Sequence, residues 1–202
     1  MNDLNSMANF SSLEEIALAV KNCSSCGLCT TRKNTVSGMG VVHPAVLVIG
    51  EGPGADEDAT GLPFVGKAGQ LLDKMLASIS LWRTTNCFIA NIVKCRPPAN
   101  RDPLPEESQA CAKYLNAQIA LLKPKMILLL GRIALHNLLN TSEGISKVHG
   151  KWLSYQGIPV MAIYHPSALL RNESLKAPAW EDLKEFRNRL KQIMPNYENT
   201  VR

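Results

Sequence analysis

The segment AVLVIGEGPG, residues Ala45–Gly54, carries the pattern that decides the fold. Its first six residues form a continuous apolar run that ends in glycine, as buried strands of parallel sheets do. Further along the chain the apolar spacing changes to that of one helix face, made by Leu71, Leu72, Met75, Leu76 and Ile79. A buried strand followed by an amphipathic helix is the unit from which parallel α/β sheets are built.

The same alternation continues through the rest of the chain. Apolar runs predict three more strands, at Cys87–Val93, Met126–Leu130 and Pro159–Tyr164, with helix patterns between them. We therefore predict an α/β fold, a three-layer αβα sandwich around a central four-stranded parallel sheet. The length of 202 residues suits a single domain over residues 1–202, with its core in about residues 12–193.

Composition limits the class of protein. The chain is 46% hydrophobic and 19% charged with a net charge of +5, which is ordinary for a globular protein and permits a polyanionic partner. No apolar run reaches the ~20 residues that a membrane span needs, and the first residues lack the pattern of a secretory signal. We expect a cytoplasmic protein without membrane contact, whose six cysteines serve as metal or cluster ligands rather than as disulfides.

Unusual polar segments follow three of the four predicted strands. GEGPG follows the first, Asn91 and KCRPP close the second, and His165, Pro166 and Ser167 follow the last. Right-handed crossovers place the carboxyl ends of parallel strands at one edge, where open α/β sheets bind ligands. The sequence therefore predicts a binding pocket at this edge.

Several residues near this edge have two interpretations. Glu51 and Glu57 could position a water molecule, although the glycines around them also suggest a phosphate-binding loop of a nucleotide-binding protein. Phe64 is either a packing residue or a platform on which a base stacks. Asn91 has an amide that matches O4 and N3–H of a uracil-like ring, or it caps a strand end. His165 either donates to a developing anion or caps the turn that follows it.

The cysteines allow more than one kind of centre. Cys23 and Cys26 form a CxxC pair of soft ligands on a tight loop. The remaining candidates are Cys29, Cys87, Cys95 and Cys111. Cys87 begins a predicted buried strand and is interpreted as a core residue. The spacing alone leaves an iron–sulfur cluster and a zinc site equally open, with a redox-active CxxC as a third alternative.

Five segments taken together resemble one family, the family 4 uracil-DNA glycosylases, which are thermostable-type, iron-sulfur enzymes. They are CSSCGLC (Cys23–Cys29), the glycine-rich segment Gly50–Leu72, NIVKCRPPANRDP (Asn91–Pro103), Glu107 with Cys111, and YHPSALLR (Tyr164–Arg171). The resemblance runs from about Cys23 to Leu190, which is nearly the whole chain.

The resemblance implies an enzyme that flips uracil out of DNA and hydrolyses its N-glycosidic bond, leaving an abasic site for base excision repair. It also implies a structural [4Fe-4S] cluster on Cys23, Cys26, Cys95 and Cys111. The partner would be uracil-containing DNA, double-stranded and single-stranded, and the enzyme would act as a monomer. The alternative is a non-catalytic iron–sulfur protein that binds nucleic acid.

The resemblance also implies a role for individual residues. Those implied to bind uracil are Gly52, Phe64, Asn91 and His165. Those implied to act in cleavage are His165, which stabilises the leaving uracil anion, and Glu51 and Glu57, either of which would hold the attacking water. Those implied to contact DNA are Lys94, Arg96, Arg101, Ser167, Leu169, Leu170 and Arg171. Basic side chains would bind phosphates, and one of the two leucines would wedge into the duplex.

Overall fold

The fold is built on one mixed sheet, seen in a computed structural model that describes residues 10–200, with side chains for residues 10–198. The sheet has the strand order β1-β3-β2-β4-β6-β5. The strands are β1 (Met39–Gly40), β2 (Val46–Gly50), β3 (Cys87–Asn91), β4 (Met126–Leu130), β5 (Trp152–Tyr155) and β6 (Ile158–Ile163).

The four strands predicted from the sequence form the parallel centre of this sheet. β2 pairs in parallel with β3 on one side and with β4 on the other, and β4 pairs in parallel with β6. The predicted central four-stranded parallel sheet is confirmed, and β1 and β5 extend it to six strands by adding an antiparallel strand at each edge. Both edge strands are short and only partly buried, so they lack the continuous apolar runs that mark the central strands.

Helices cover both faces of the sheet. They are α1 (Leu13–Lys21), α2 (Ala55–Thr60), α3 (Lys67–Ala77), α4 (Pro105–Leu122), α5 (Gly131–Leu139), α6 (Ile145–Val148), α7 (Pro166–Arg171) and α8 (Lys176–Ile193). Alternate residues of β2 face opposite cores: Leu47 and Ile49 pack with α1, α4 and α5, whereas Val46 and Val48 pack with α3 and α8. The predicted three-layer αβα architecture is confirmed. Within the described residues, no helix is long and apolar enough to cross a membrane.

Local sequence signals account for where the helices begin. Ser12 caps α1, because its hydroxyl oxygen accepts a hydrogen bond from the Glu15 amide at 3.2 Å. Pro105 is the first residue of α4, where its missing N–H costs nothing. The glycine-rich segment after β2 contains the short helix α2, whose first turn carries three acidic side chains.

Gly69 of α3 lies against the backbone of Phe64, and this contact joins the helix to the loop before it. A Cβ atom added at Gly69 would stand 2.0 Å from the Phe64 carbonyl oxygen. We expect Gly69→Ala to lower the free energy of unfolding by about 1–3 kcal/mol, because either the loop or the helix must shift. Urea denaturation followed by circular dichroism measures this loss.

Gly144→Ala is the matched control, since the nearest atom to its added Cβ is 3.8 Å away. Equal stability of the two variants would show that the Gly69 contact does not constrain the loop.

Candidate active site

A cavity of about 530 Å³ opens at the carboxyl ends of the parallel strands, where the sequence predicted a pocket. This volume lies in the usual range for a small-molecule site. The lining includes eight of the residues singled out from the sequence, namely Glu51, Gly52, Glu57, Phe64, Asn91, His165, Ser167 and Arg171. The polar segments that follow β2, β3 and β6 therefore meet at this cavity.

Phe64 and Asn91 meet at the end of β2 because Gly50 has no side chain. A Cβ at Gly50 would stand 2.4 Å from the tip of the Phe64 ring and 2.5 Å from the Asn91 carbonyl oxygen Oδ1. Phe64 has a φ of +53° and is 6% exposed, and its ring centroid lies 5.8 Å from that of His165. Phe64 packs in the core, as the first interpretation predicted, and it also forms part of the cavity wall. Its role as a platform for a base stays a prediction.

Asn91 presents an unpaired hydrogen-bond acceptor. The residue is 1% exposed, and its Oδ1 has no hydrogen-bond partner among the described residues. Buried side-chain oxygens are nearly always paired in folded proteins, because leaving one unpaired is costly. A ligand with an N–H group that enters the cavity would satisfy Oδ1.

His165 has one ring nitrogen occupied by the turn that begins α7. Its Nδ1 accepts hydrogen bonds from the Ser167 amide at 3.1 Å and from the Ser167 hydroxyl at 2.8 Å. A backbone N–H can only donate, so Nδ1 is unprotonated and Nε2 carries the proton. Burial lowers the pKa of His165 to about 4, helped by the positive charge of Arg171 and opposed by Glu57. At neutral pH the side chain is a neutral imidazole with an Nε2–H donor, so the capping role is confirmed and leaves Nε2–H for the predicted donor role.

The two candidate carboxylates have different environments. Burial raises the pKa of Glu51 to about 7, and the charge of Asp102 adds to this effect while Arg132 and Arg171 oppose it. A pKa near neutrality suits a group that accepts a proton from water.

Glu57 instead ties the start of α2 to the loop after Phe64. One oxygen accepts from the Gly54 amide at 3.0 Å, and the other accepts from the amides of Val65 at 2.8 Å and Gly66 at 3.0 Å. Three backbone donors thus hold the Glu57 carboxylate in place, and its role in holding a water molecule stays a prediction.

The predicted DNA-binding residues between β3 and α4 differ in their hydrogen bonds and in their exposure to solvent. Arg96 donates to the Asn100 side chain at 2.8 Å, and Arg101 binds the carboxylate of Glu107 through both terminal nitrogens at 2.9 and 2.7 Å. Lys94 is wholly buried and points inward, so the prediction that it contacts a phosphate is wrong. Burial lowers the pKa of Lys94 to about 8, opposed by Cys111, which leaves it mainly protonated at neutral pH.

The two leucines of α7 differ in the same way. Leu169 is 2% exposed and packs in the core, whereas Leu170 is 48% exposed. Because of this difference, Leu170 is the one available to enter DNA, and Leu169 is removed from the DNA-binding set.

The residues of the cavity that were not singled out from the sequence include Asp102, Gly131 and Arg132. Arg132 binds Asp102 at 2.5 Å across the cavity. Gly131 has a φ of +83°, and a Cβ there would stand 2.9 Å from the His165 Cβ. Gly131 and Arg132 directly follow β4, so the rule that located the other rim segments would have found them had it been applied to all four strands.

A second, smaller pocket lies beneath the segment that follows β3. Five cysteines line it, namely Cys23, Cys26, Cys29, Cys95 and Cys111. All are free thiols, and three receive N–H···S bonds: Arg32 to Cys95 at 3.1 Å, the Lys94 amide to Cys111 at 3.3 Å and the Ser25 amide to Cys23 at 3.4 Å. Cys87 is fully buried in the core on the other face of the sheet, as its sequence context predicted.

The cysteines of this pocket come from three parts of the chain. Cys23, Cys26 and Cys29 lie on one loop, Cys95 follows β3 and Cys111 lies on α4. Thiols that line one pocket suit either a cluster or a zinc ion, and both interpretations stay predictions. Burial raises the pKa of Cys95 and of Cys111, the latter to about 11, so metal coordination is what would deprotonate them.

Comparisons with known proteins identify the class first. The family model of the Uracil DNA glycosylase superfamily matches residues 37–184, a span that includes the whole lining of the cavity. The fold and the cavity are thus those of a DNA glycosylase of this superfamily.

Individual relatives narrow the assignment. The chain is 41% identical over 183 residues to the Type-4 uracil-DNA glycosylase of Archaeoglobus fulgidus, covering 87% of this chain and 92% of the relative. It is 42% identical over 184 residues to that of Pyrobaculum aerophilum, with coverage of 86% and 92%, and 41% identical over 186 residues to that of Thermotoga maritima, with coverage of 89% and 95%. The chain belongs to the type-4 uracil-DNA glycosylases, which confirms the family resemblance found in the sequence, and it is an enzyme.

The protonation state of His165 gives a direct test of the site. We expect its imidazole to stay neutral, with the proton on Nε2, as the pH falls through 6.5, and to titrate near pH 4 because burial disfavours the cation. Nitrogen-15 NMR of the histidine ring measures both the pKa and the tautomer. A pKa at or above 6.5, or a proton on Nδ1, would contradict this arrangement.

Proposed function

We propose that this enzyme holds a flipped uracil in the cavity between Phe64 and Asn91 and hydrolyses its N-glycosidic bond with His165 and Glu51. The product would be an abasic site, as base excision repair requires. The observation that carries the proposal is the unpaired Oδ1 of Asn91, which lies buried beside an aromatic ring. The type-4 uracil-DNA glycosylase name of the relatives supports uracil as the base.

Recognition of uracil follows from the chemistry of the Asn91 amide. Uracil offers a donor at N3–H and an acceptor at O4, and the amide supplies the complementary pair through Oδ1 and its NH₂ group. Cytosine has an acceptor at N3 and an amino donor at C4. Its N3 would therefore face the acceptor Oδ1, and its amino group would face the NH₂ donor of Asn91. The Phe64 ring would stack on the base, and the backbone at Gly52 would complete the wall of the pocket.

Cleavage leaves negative charge on the departing uracil. The Nε2–H of His165 would donate to uracil O2 as this charge develops, and a neutral imidazole does so without first being charged in a buried site. Glu51, in its ionised form, would hold the water that attacks the sugar. Because leaving-group stabilisation carries most of the rate, we expect replacement of Glu51 to impair turnover without abolishing it.

Contacts with DNA would surround the cavity. Leu170, exposed on α7, would fill the gap left by the flipped nucleotide, at a cost of a few kcal/mol for unstacking. Arg96, Arg101 and Arg171 would bind phosphates, and Ser167 would contact the backbone near the rim. Flipping requires one copy of this site, so we propose a monomer that acts on double-stranded and single-stranded DNA.

The cysteine pocket would hold a [4Fe-4S] cluster through Cys23, Cys26, Cys95 and Cys111. Bound there, the cluster would supply structural cross-linking rather than redox chemistry. Cys95 and Cys111 flank the segment that carries Arg96 and Arg101, and this segment has few apolar residues with which to fix itself. Four metal–thiolate bonds would order it against DNA.

Replacement of His165 tests the enzyme proposal. We expect His165→Leu to lower kcat by about 100- to 1000-fold, because the donor to the leaving uracil is lost. Alkaline cleavage of abasic sites in U:G, U:A and single-stranded uracil oligonucleotides measures the rate. His136→Gln is the control, since His136 lies outside the cavity and contacts the Glu143 carbonyl.

A His165→Leu variant with full activity would remove this histidine from the mechanism. Wild-type protein that leaves all three uracil substrates intact would defeat the proposal as a whole.

Ligand replacement tests the cluster. We expect purified Cys111→Ser to lose iron and the brown visible absorption of the wild type, since one of four cluster thiolates is removed. Cys87→Ala should keep both, because Cys87 lies in the opposite core. Iron and sulfide analysis with absorption spectroscopy distinguishes the two variants. A zinc-containing, colourless wild type would contradict the assignment.

A further inference from the structure

Lys94 contacts residues of both the cavity and the cysteine pocket. Its side chain is 0% exposed, and its Nζ donates to the backbone oxygen of Asn91 at 2.8 Å and to Oε1 of Gln118 at 2.7 Å. Its backbone amide donates to Sγ of Cys111 at 3.3 Å. A single residue thus joins the asparagine that faces uracil to a thiol of the cysteine pocket.

A buried ammonium group is unfavourable unless its surroundings compensate for lost water. An unbranched apolar side chain such as methionine would fill the same space without that cost. Lys94 gains two hydrogen bonds to neutral oxygens and lies near the thiol of Cys111, which would carry negative charge when it binds iron. The positive charge of Lys94 is therefore favourable at this position because both the Asn91 carbonyl and the cysteine pocket lie next to it.

The partners of Lys94 come from separate parts of the chain. Asn91 is the last residue of β3, and Gln118 lies on α4 two turns beyond Cys111, on the same face of the helix. Gln118 in turn donates through Nε2 to the Ser37 carbonyl at 2.7 Å. The contacts of Lys94 therefore fix the end of β3 relative to the helix that carries a cysteine of the pocket.

We propose that Lys94 is a positioning residue that couples the cysteine centre to uracil recognition. Its ammonium group holds the Asn91 backbone, and through it the amide that meets the base, while its own backbone is held by Cys111. A cluster bound in the cysteine pocket would then order Asn91 as well as the segment that carries Arg96 and Arg101. This inference rests on the proposed function, because it assumes that Asn91 binds uracil.

The experiment compares two lysine variants of the iron-loaded enzyme, Lys94→Met and Lys113→Met. Lys113 also lies beside the cysteine pocket, where its Nζ contacts the Ser25 hydroxyl at 3.2 Å, but it makes no contact with Asn91. Iron per chain is measured first, and then the dissociation constant of free uracil by calorimetry. The reduction potential of the cluster is measured on the same samples.

For Lys94→Met we expect normal iron content and a dissociation constant for uracil at least about tenfold higher. We expect kcat/KM to fall by up to about 100-fold, because displacement of residues in an active site lowers the rate by such factors. The reduction potential should become more negative, since a buried positive charge near the cluster is lost. Lys113→Met should bind uracil as the wild type does. Partial unfolding would lower the number of binding sites without changing their dissociation constant, so it cannot imitate this result.

Unchanged uracil affinity in iron-loaded Lys94→Met would overturn the inference. If that variant does not fold, Gln118→Met replaces it, because it removes the other acceptor of Nζ and should weaken uracil binding in the same direction; unchanged affinity there overturns the inference equally. A wild type that neither binds nor excises uracil would instead refute the proposed function, so the two failures are distinct.

Discussion

The absence of a side chain at Gly50 is the constraint on which the site depends. Any Cβ there would overlap the Phe64 ring and the Asn91 amide, so glycine is what lets both approach the end of β2. Gly69 and Gly131 act in the same way, allowing α3 to reach the Phe64 backbone and β4 to reach His165. Close packing at these three points places an aromatic ring, an amide and an imidazole around one cavity.

The segment after β3 connects this cavity with the cysteine pocket. Asn91 ends the strand before it, Lys94 and Cys95 then line the cysteine pocket, and Arg96 is partly exposed at the surface. Because this segment is short, a displacement of Cys95 would also displace Asn91. A metal centre that holds these thiols would therefore also hold the Asn91 amide, which would give a structural centre a reason to lie close to the cavity.

The sequence predicted the parts of the fold that are buried on both faces. The four central strands were predicted because continuous apolar runs mark them, whereas β1 and β5 were missed because short edge strands leave little pattern. Residue types at the site were predicted as well, but not their surroundings. Lys94 was interpreted from its charge as a phosphate contact, and only tertiary packing reveals that it is buried. Likewise, Leu169 lost its predicted role because α7 is oriented so that this side chain packs in the core.

The central claim is that the buried Oδ1 of Asn91 accepts a hydrogen bond from N3–H of uracil. The most direct test compares binding of free uracil with that of 3-methyluracil, in which a methyl group replaces this hydrogen. We expect uracil to bind and to compete with uracil-containing DNA, whereas 3-methyluracil should do neither, because Oδ1 would face a methyl group and stay unpaired. Equal binding of the two compounds would contradict it.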